Sequence, residues 1–185
     1  QAHTGELPLD IIAQVVEHGD KAVAAIDSVK GKPTRNSAEY ERLRNDIHCY
    51  REFAYYFNLR VKAAKLILDY QWGKNIADLD AAIPFIEKSL AHYKTLVELT
   101  KDSYLYANSM QTSQRQIPIS GVDGTNKTWA ELYILYKKEL ENFRTNLAYL
   151  KSEQNRTTKK TIIQPLNPVA VKMISQPKLV KLQAG

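Results

Sequence analysis

Residues 36–73 read NSAEYERLRNDIHCYREFAYYFNLRVKAAKLILDYQWG, and their periodicity decides the fold class. Tyr40, Leu43, Ile47, Tyr50, Ala54, Phe57, Val61, Ala64 and Leu68 follow one another at steps of three and four. That spacing places them on one stripe of an α-helix about eight turns long. Asn36 and Glu39 have the spacing of a capping box at its start, and Trp72 and Gly73 mark its end. A helix of this length with so regular a seam is expected to pack lengthwise in an antiparallel bundle.

Three further helices surround it in sequence. Residues 8–30 place Leu9, Ile12, Val15, Val16, Val23, Ile26 and Val29 near helical spacing, with Pro8 in the first turn and Gly31 past the end. Gly19 interrupts that stripe where a neighbouring backbone could approach closely. A third helix is expected from Asp78 or Asp80, with Ile83, Ile86, Leu90, Tyr93 and Val97 as its stripe and Pro84 tolerable only near its start. A fourth runs from Thr128 to Lys151 through Trp129, Leu132, Tyr136, Leu140, Phe143, Leu147 and Leu150, and Thr128 with Glu131 gives a second capping-box spacing. The expectation is an all-α bundle of four long antiparallel helices, with a long irregular loop between helices three and four and an extended C-terminal tail. The domain boundaries follow: a helical bundle over residues 1–152 and a basic, Pro-containing tail over 153–185. Helices two and three resemble a tetratricopeptide hairpin, but no self-similarity at a period of about 34 residues supports a solenoid.

The charge is uneven. Of the net +6, residues 1–153 contribute nothing, and from Gln154 onward Arg156, Lys159, Lys160, Lys172, Lys178 and Lys181 stand without an acid. No basic cluster is joined to an aromatic or Gly-rich motif, so a nucleic-acid partner is not expected. No apolar run approaches the roughly 18 residues needed to cross a bilayer. The tail segment TIIQPLNPVAVKMISQPKLVKLQAG (161–185) carries Pro165, Pro168 and Pro177, which exclude a helix through it. Its VAVKM and KLVKL stretches suit edge strands, so the tail is expected to lead into, or lie upon, another domain. The chain starts at Gln1, not Met, which suggests a processed or excised piece. A single cysteine, Cys49, excludes an internal disulfide and reads as a small packed thiol.

Most catalytic signatures are absent: there is no P-loop, G-x-G-x-x-G, G-x-S-x-G, H-E-x-x-H or C-x-x-C. His3, His18, His48 and His92 are scattered, and neither Glu17-His18 nor Glu87 with His92 has the Glu-x-x-His spacing of a diiron bundle. No metal, cofactor or catalytic residue is expected. Asp46, Glu52 and Glu98 read as solvent-facing partners of nearby Arg and Lys.

The stretch QTSQRQIPISGVDGTN (111–126) is too long and too apolar to be an idle connection; Ile117 and Ile119 around Pro118, then Asp123-Gly124, read as a folded, packed loop. Tyr104, Tyr106, Asn108, Gln111, Gln114 and Arg115 border it, with Asp123 and Trp129 at its far side. Aromatic rings and planar polar groups in one segment suit a sugar, the rings lying under its apolar C–H faces. Tyr104, Tyr106, Asn108, Gln111, Arg115, Asp123 and Trp129 are therefore the candidate ligand-binding set. The competing reading is that these groups fix the loop to its own bundle.

The runs ERLRNDIHCYREFAYYFNLRVKAAKLILDY (41–70) and YLYANSMQTSQRQIPISGVDGTNKTWAELYILYKKELENF (104–143) carry a resemblance. The chain, over residues 7–150, resembles the helical region near the C-terminus of large, glycoside-hydrolase-like proteins from polysaccharide-degrading, gut-type bacteria. In those proteins a catalytic barrel and β-sandwich domains lie outside the helices. The resemblance implies a non-catalytic accessory module of a carbohydrate-active protein, periplasmic or extracellular, with other domains of the same polypeptide as partners and a glycan as a further contact. The tail would then be the passage into a following β domain. A helical protein–protein interaction module is the alternative. A third reading is a free-standing enzyme with a site built from Tyr104, Tyr106, Arg115 and Asp123. An accessory domain predicts an exposed apolar patch near the termini, an interaction module a groove between helices, and an enzyme a deep pocket of converging ionisable groups.

Overall fold

The computed structural model describes residues 5–29, 35–107 and 127–156, and these form four α-helices with no strand among them. They are α1 (Pro8–Asp27), α2 (Ser37–Gly73), α3 (Ile76–Thr100) and α4 (Trp129–Arg156). The all-α expectation holds for the described residues. The loop 108–126, with Ile117 and Asp123, and the tail from 157 lie outside them.

The capping chemistry explains where α3 and α4 begin. At α4 both reciprocal bonds of the expected box form: Glu131 N donates to Thr128 Oγ1 at 3.2 Å, and Thr128 N donates to Glu131 Oε2 at 2.7 Å. At α2 the expected box is absent. Asn36 sits in the left-handed region at φ 57° and makes no side-chain cap, while Glu39 pairs with Arg42. A positive φ turns the Asn36 side chain away from the first-turn amides, and Asn tolerates that conformation better than most residues. The third helix starts before either Asp, because Asn75 accepts from Ala77 N at 3.2 Å. Pro84 consequently lies in the helix interior, yet α3 continues through it to Thr100. Burial on either side of Pro84, at Leu79, Ala82 and Ile86, offsets the lost backbone bond.

The core is a seam between α2 and α3, extended by α4. On α3, Leu79, Ala82, Ile86, Ser89, Tyr93, Leu96 and Thr100 are all buried and step by three and four. On α2 the residues facing them are Cys49, Glu52, Tyr56, Ala63 and Tyr70, with Leu66 partly buried. Three tiers run down the axis. Cys49 and Tyr56 meet Tyr93, Leu96 and Leu132; Ala63 meets Ala82, Ile86, Leu90 and Leu140; Tyr70 meets Leu79 and Leu147. Rising numbers on α2 thus meet falling numbers on α3 and rising numbers on α4.

This seam is not the stripe expected for α2. Of that stripe, Tyr50 is 74% exposed, Phe57 50% and Leu68 53%. Both stripes obey helical spacing, so the period alone does not choose between them. The Cys49–Tyr70 face is the one that fits closely against α3, with small Cys49 and Ala63 alternating with the rings of Tyr56 and Tyr70. Cys49 is a packed thiol, as expected, and burial pushes its pKa up to about 11.

The first helix lies along the N-terminal two-thirds of α2. Asp27 accepts from Arg44 Nε at 2.7 Å, Tyr40 OH donates to Ile26 O at 3.0 Å, and Asp20 accepts from Arg51 Nε at 2.6 Å. Gly19 faces Arg51 at the crossing. The start of α1 reaches α2 at Phe57 and Val61, and Ile12 is its one buried residue.

Candidate functional site

The exposed stripe of α2 floors a trough walled by α1 on one side and α4 on the other. Its upper hollow, about 390 Å³, is lined by Pro8, Ile11, Ile12 and Val15 of α1 and by Phe53, Ala54, Phe57 and Val61 of α2. A lower hollow of about 260 Å³ shares Phe57 and Val61 and adds Ala64, Ile67, Leu140 and Phe143. Below it Leu68 and then Trp72, 87% exposed, continue the line on α2. Phe53, Phe57, Val61, Ala64, Leu68 and Trp72 step by four, four, three, four and four, so they lie on one face of the helix. Among the described residues, the only charges that line the two hollows are Arg60 and Glu139, paired at 2.7 Å. Desolvation by burial works against the Arg60 charge, and the Glu139 pair overcomes it and holds the guanidinium pKa above its ordinary value.

The ionisable groups converge elsewhere, where α1, α2 and α3 meet. Glu52 is buried; its Oε1 accepts from Arg51 Nη1 at 2.9 Å, and its Oε2 lies 2.8 Å from His92 Nδ1. Asp20 accepts from Arg51 Nε through one oxygen and from Tyr55 OH through the other, at 2.7 Å. The Tyr55 ring stacks on His92 with centroids 4.8 Å apart, and the Arg51 guanidinium lies over the Tyr55 ring. Hydrogen bonding from Tyr55, then from Arg51, lowers the Asp20 pKa. Every carboxylate oxygen here already accepts a bond from within the cluster. The arrangement ties three helices together, and both oxygens of each carboxylate are engaged within it. Glu52 was expected to face solvent; it is instead the buried centre of this network. Asp46 accepts from the Tyr104 hydroxyl. No group of three or more His, Cys, Asp or Glu side chains among the described residues could hold a metal ion.

The candidate sugar-binding residues are only partly placed. Tyr104 OH donates to Asp46 Oδ1 at 2.6 Å, and that bond pushes the phenol pKa up to about 12. Tyr106 remains exposed beside it. Asn108, Gln111, Arg115 and Asp123 fall outside the described residues. Trp129 belongs to the upper tier of the core, edge-on to Phe53 and 6.0 Å from the Tyr93 ring. Ala107 N donates to Lys127 O at 2.8 Å, which closes the neck of the loop. Sequence reasoning missed the trough because it assigned the α2 stripe to the core. The available signal was that α2 carries a second set of residues at heptad spacing, Cys49, Tyr56, Ala63 and Tyr70.

No protein-family model matches this chain, and no curated protein matches it. Among solved structures, a GH138 enzyme targeting pectin rhamnogalacturonan II superposes with a TM-score of 0.77 at 57% sequence identity. The match covers 89% of this chain and 19% of that one, so this chain spans about a fifth of the length of the enzyme it is similar to. Identity at that level shows more than a shared fold, and the match relates this chain to a helical part of a larger glycoside hydrolase.

Proposed function

We propose that this chain is a non-catalytic helical module of a larger, glycoside-hydrolase-like bacterial protein, exported to the periplasm or the cell exterior. Its role is to pack against other domains of the same polypeptide and to help shape their glycan-binding surface. The observation that carries this reading is the 57% identity confined to 19% of a pectin-targeting enzyme. Two features of the chain support it. The trough is apolar and open, unlike a catalytic cleft, which needs converging ionisable groups. The four helices read as an antiparallel arrangement, with α1 appended to α2, that leaves one broad apolar face for a neighbour.

The loop contributes glycan contact in this reading, through Tyr104 and Tyr106 at its neck and Asn108, Gln111, Arg115 and Asp123 within it. Trp129 supports the loop from the core. The trough also gives specific support to the alternative, a helical module that binds a separate protein.

Incubating the 185-residue chain with rhamnogalacturonan II oligosaccharides tests the non-catalytic role. No sugar release is expected, and release at enzymatic rates overturns it. Chemical-shift changes at Tyr104, Tyr106 and Trp129 on adding the same oligosaccharides are the expected sign of glycan contact. Their absence at millimolar ligand restricts the module to a scaffold.

A further inference from the structure

The trough has an occupant within reach. We propose that the C-terminal segment of this chain, residues 161–174, lies back along α2 over Val61, Ala64, Leu68 and Trp72 and anchors the passage to the next domain. The role in domain attachment rests on the accessory-module reading; the docking itself rests on geometry.

The first observation is where α1 stops. Its N-terminus sits by Phe57 and Val61, so among the described residues α1 does not extend over the C-terminal third of the α2 stripe. Leu68 and Trp72 are left in water there, alongside Ala64. An unpaired apolar stripe of this length on an otherwise charged helix is unfavourable unless something covers it.

The second is where α4 ends. Leu147 packs with Tyr70 and Leu79, Leu150 joins the same tier, and Lys151 pairs with Asp80 at 2.6 Å. The last turn of α4 therefore lies at the same end of the molecule as Trp72, and residues 157–185 leave from there. From Trp72 to Phe57 is about 22 Å at the helical rise per residue. About seven extended residues span that distance, far fewer than the tail contains.

The third is the chemistry of the segment. The alternation of an extended chain would put Val169, Val171 and Met173 on one face and Lys172 on the opposite one. A strand laid on a helix finds no backbone partners, because the helix has used its own. Pro165 and Pro168 reduce the number of N–H groups left unpaired. Tethering then decides between occupants. A segment joined to α4 meets the stripe at an effective concentration in the millimolar range, which a second copy in dilute solution does not reach.

The test uses the full 185-residue chain and reads Trp72, its emission isolated by subtracting the Trp72→Phe spectrum. Acrylamide quenching of Trp72 is expected to be weak in the native chain. In the triple variant Val169→Ser, Val171→Ser, Met173→Ser it is expected to rise to that of an exposed indole, with helical circular dichroism unchanged. A disulfide between Leu68→Cys and Val171→Cys, formed at a concentration where the chain is monomeric, would confirm the register. Equal quenching in the native and triple-variant chains overturns the proposal and leaves the stripe for another domain. Shielding that grows with protein concentration and ignores the tail substitutions also overturns it, in favour of a second copy. Neither result bears on sugar release, so the docking and the non-catalytic role fail separately.

Discussion

The position a Cβ would take on Gly19 lies 3.4 Å from the Cα of Arg51, so α1 and α2 cross with backbone against backbone. Alanine fits there at ordinary contact and removes the glycine penalty of a helix interior. Gly19→Ala should leave stability unchanged or raise it by about 0.5–1 kcal/mol. Gly19→Leu has no room without moving α1, and should lower the melting temperature and expose Ile12. Thermal unfolding of both variants checks this; a leucine variant as stable as the parent would mean that α1 is not held at this crossing.

Asp20 gives the α1–α2 contact a pH dependence. Its carboxylate pKa is lowered, first by the Tyr55 hydroxyl and then by Arg51. A depressed folded-state pKa stabilises the fold at pH values above the ordinary aspartate range, and that stability is lost as pH falls through the lower value. Asp20→Asn should therefore cost stability at neutral pH and make the decline toward acid less steep. The size should be about 1 kcal/mol or less, because the group is partly exposed to solvent. Urea unfolding at a series of pH values reads it, and parallel curves for variant and parent would refute the linkage.

The hydroxyl of Tyr93 is buried and has no hydrogen-bond partner among the described residues. Burial raises its pKa well above the ordinary phenol value, so it stays neutral. Its ring is surrounded by those of Tyr56, Tyr133, Tyr136 and Trp129. Removing an unpaired buried hydroxyl while keeping the ring should be neutral, or stabilising by about 1 kcal/mol. Tyr93→Phe measured by chemical denaturation decides it. A clear loss of stability would show that the hydroxyl has a partner, with the loop 108–126 the first place to look.

Local signals were legible residue by residue. Thr128 and Glu131 make the capping box their spacing implies, because both partners lie within one turn and need no tertiary help. The closeness required at Gly19 was legible for a similar reason: a missing side chain in an apolar stripe has few other uses. Glu52 was misread because Arg51 beside it supplies an ion-pair partner of the kind found at a surface, whereas its burying partner, His92, is forty residues away.

On α2 the amino-acid sequence by itself determined a long helix and two apolar stripes, since periodicity is a property of the chain's own spacing. Which stripe became core was decided only in the tertiary structure. The Cys49–Tyr70 face alternates small and large residues that fit the α3 seam of Leu79, Ala82, Ile86, Ser89, Tyr93 and Leu96, and close packing depends on volumes brought together from distant positions. The more apolar stripe, from Phe57 to Trp72, was thereby left facing water. The functional reading starts from that choice, because an apolar face that its own core does not use is free to hold another segment or domain.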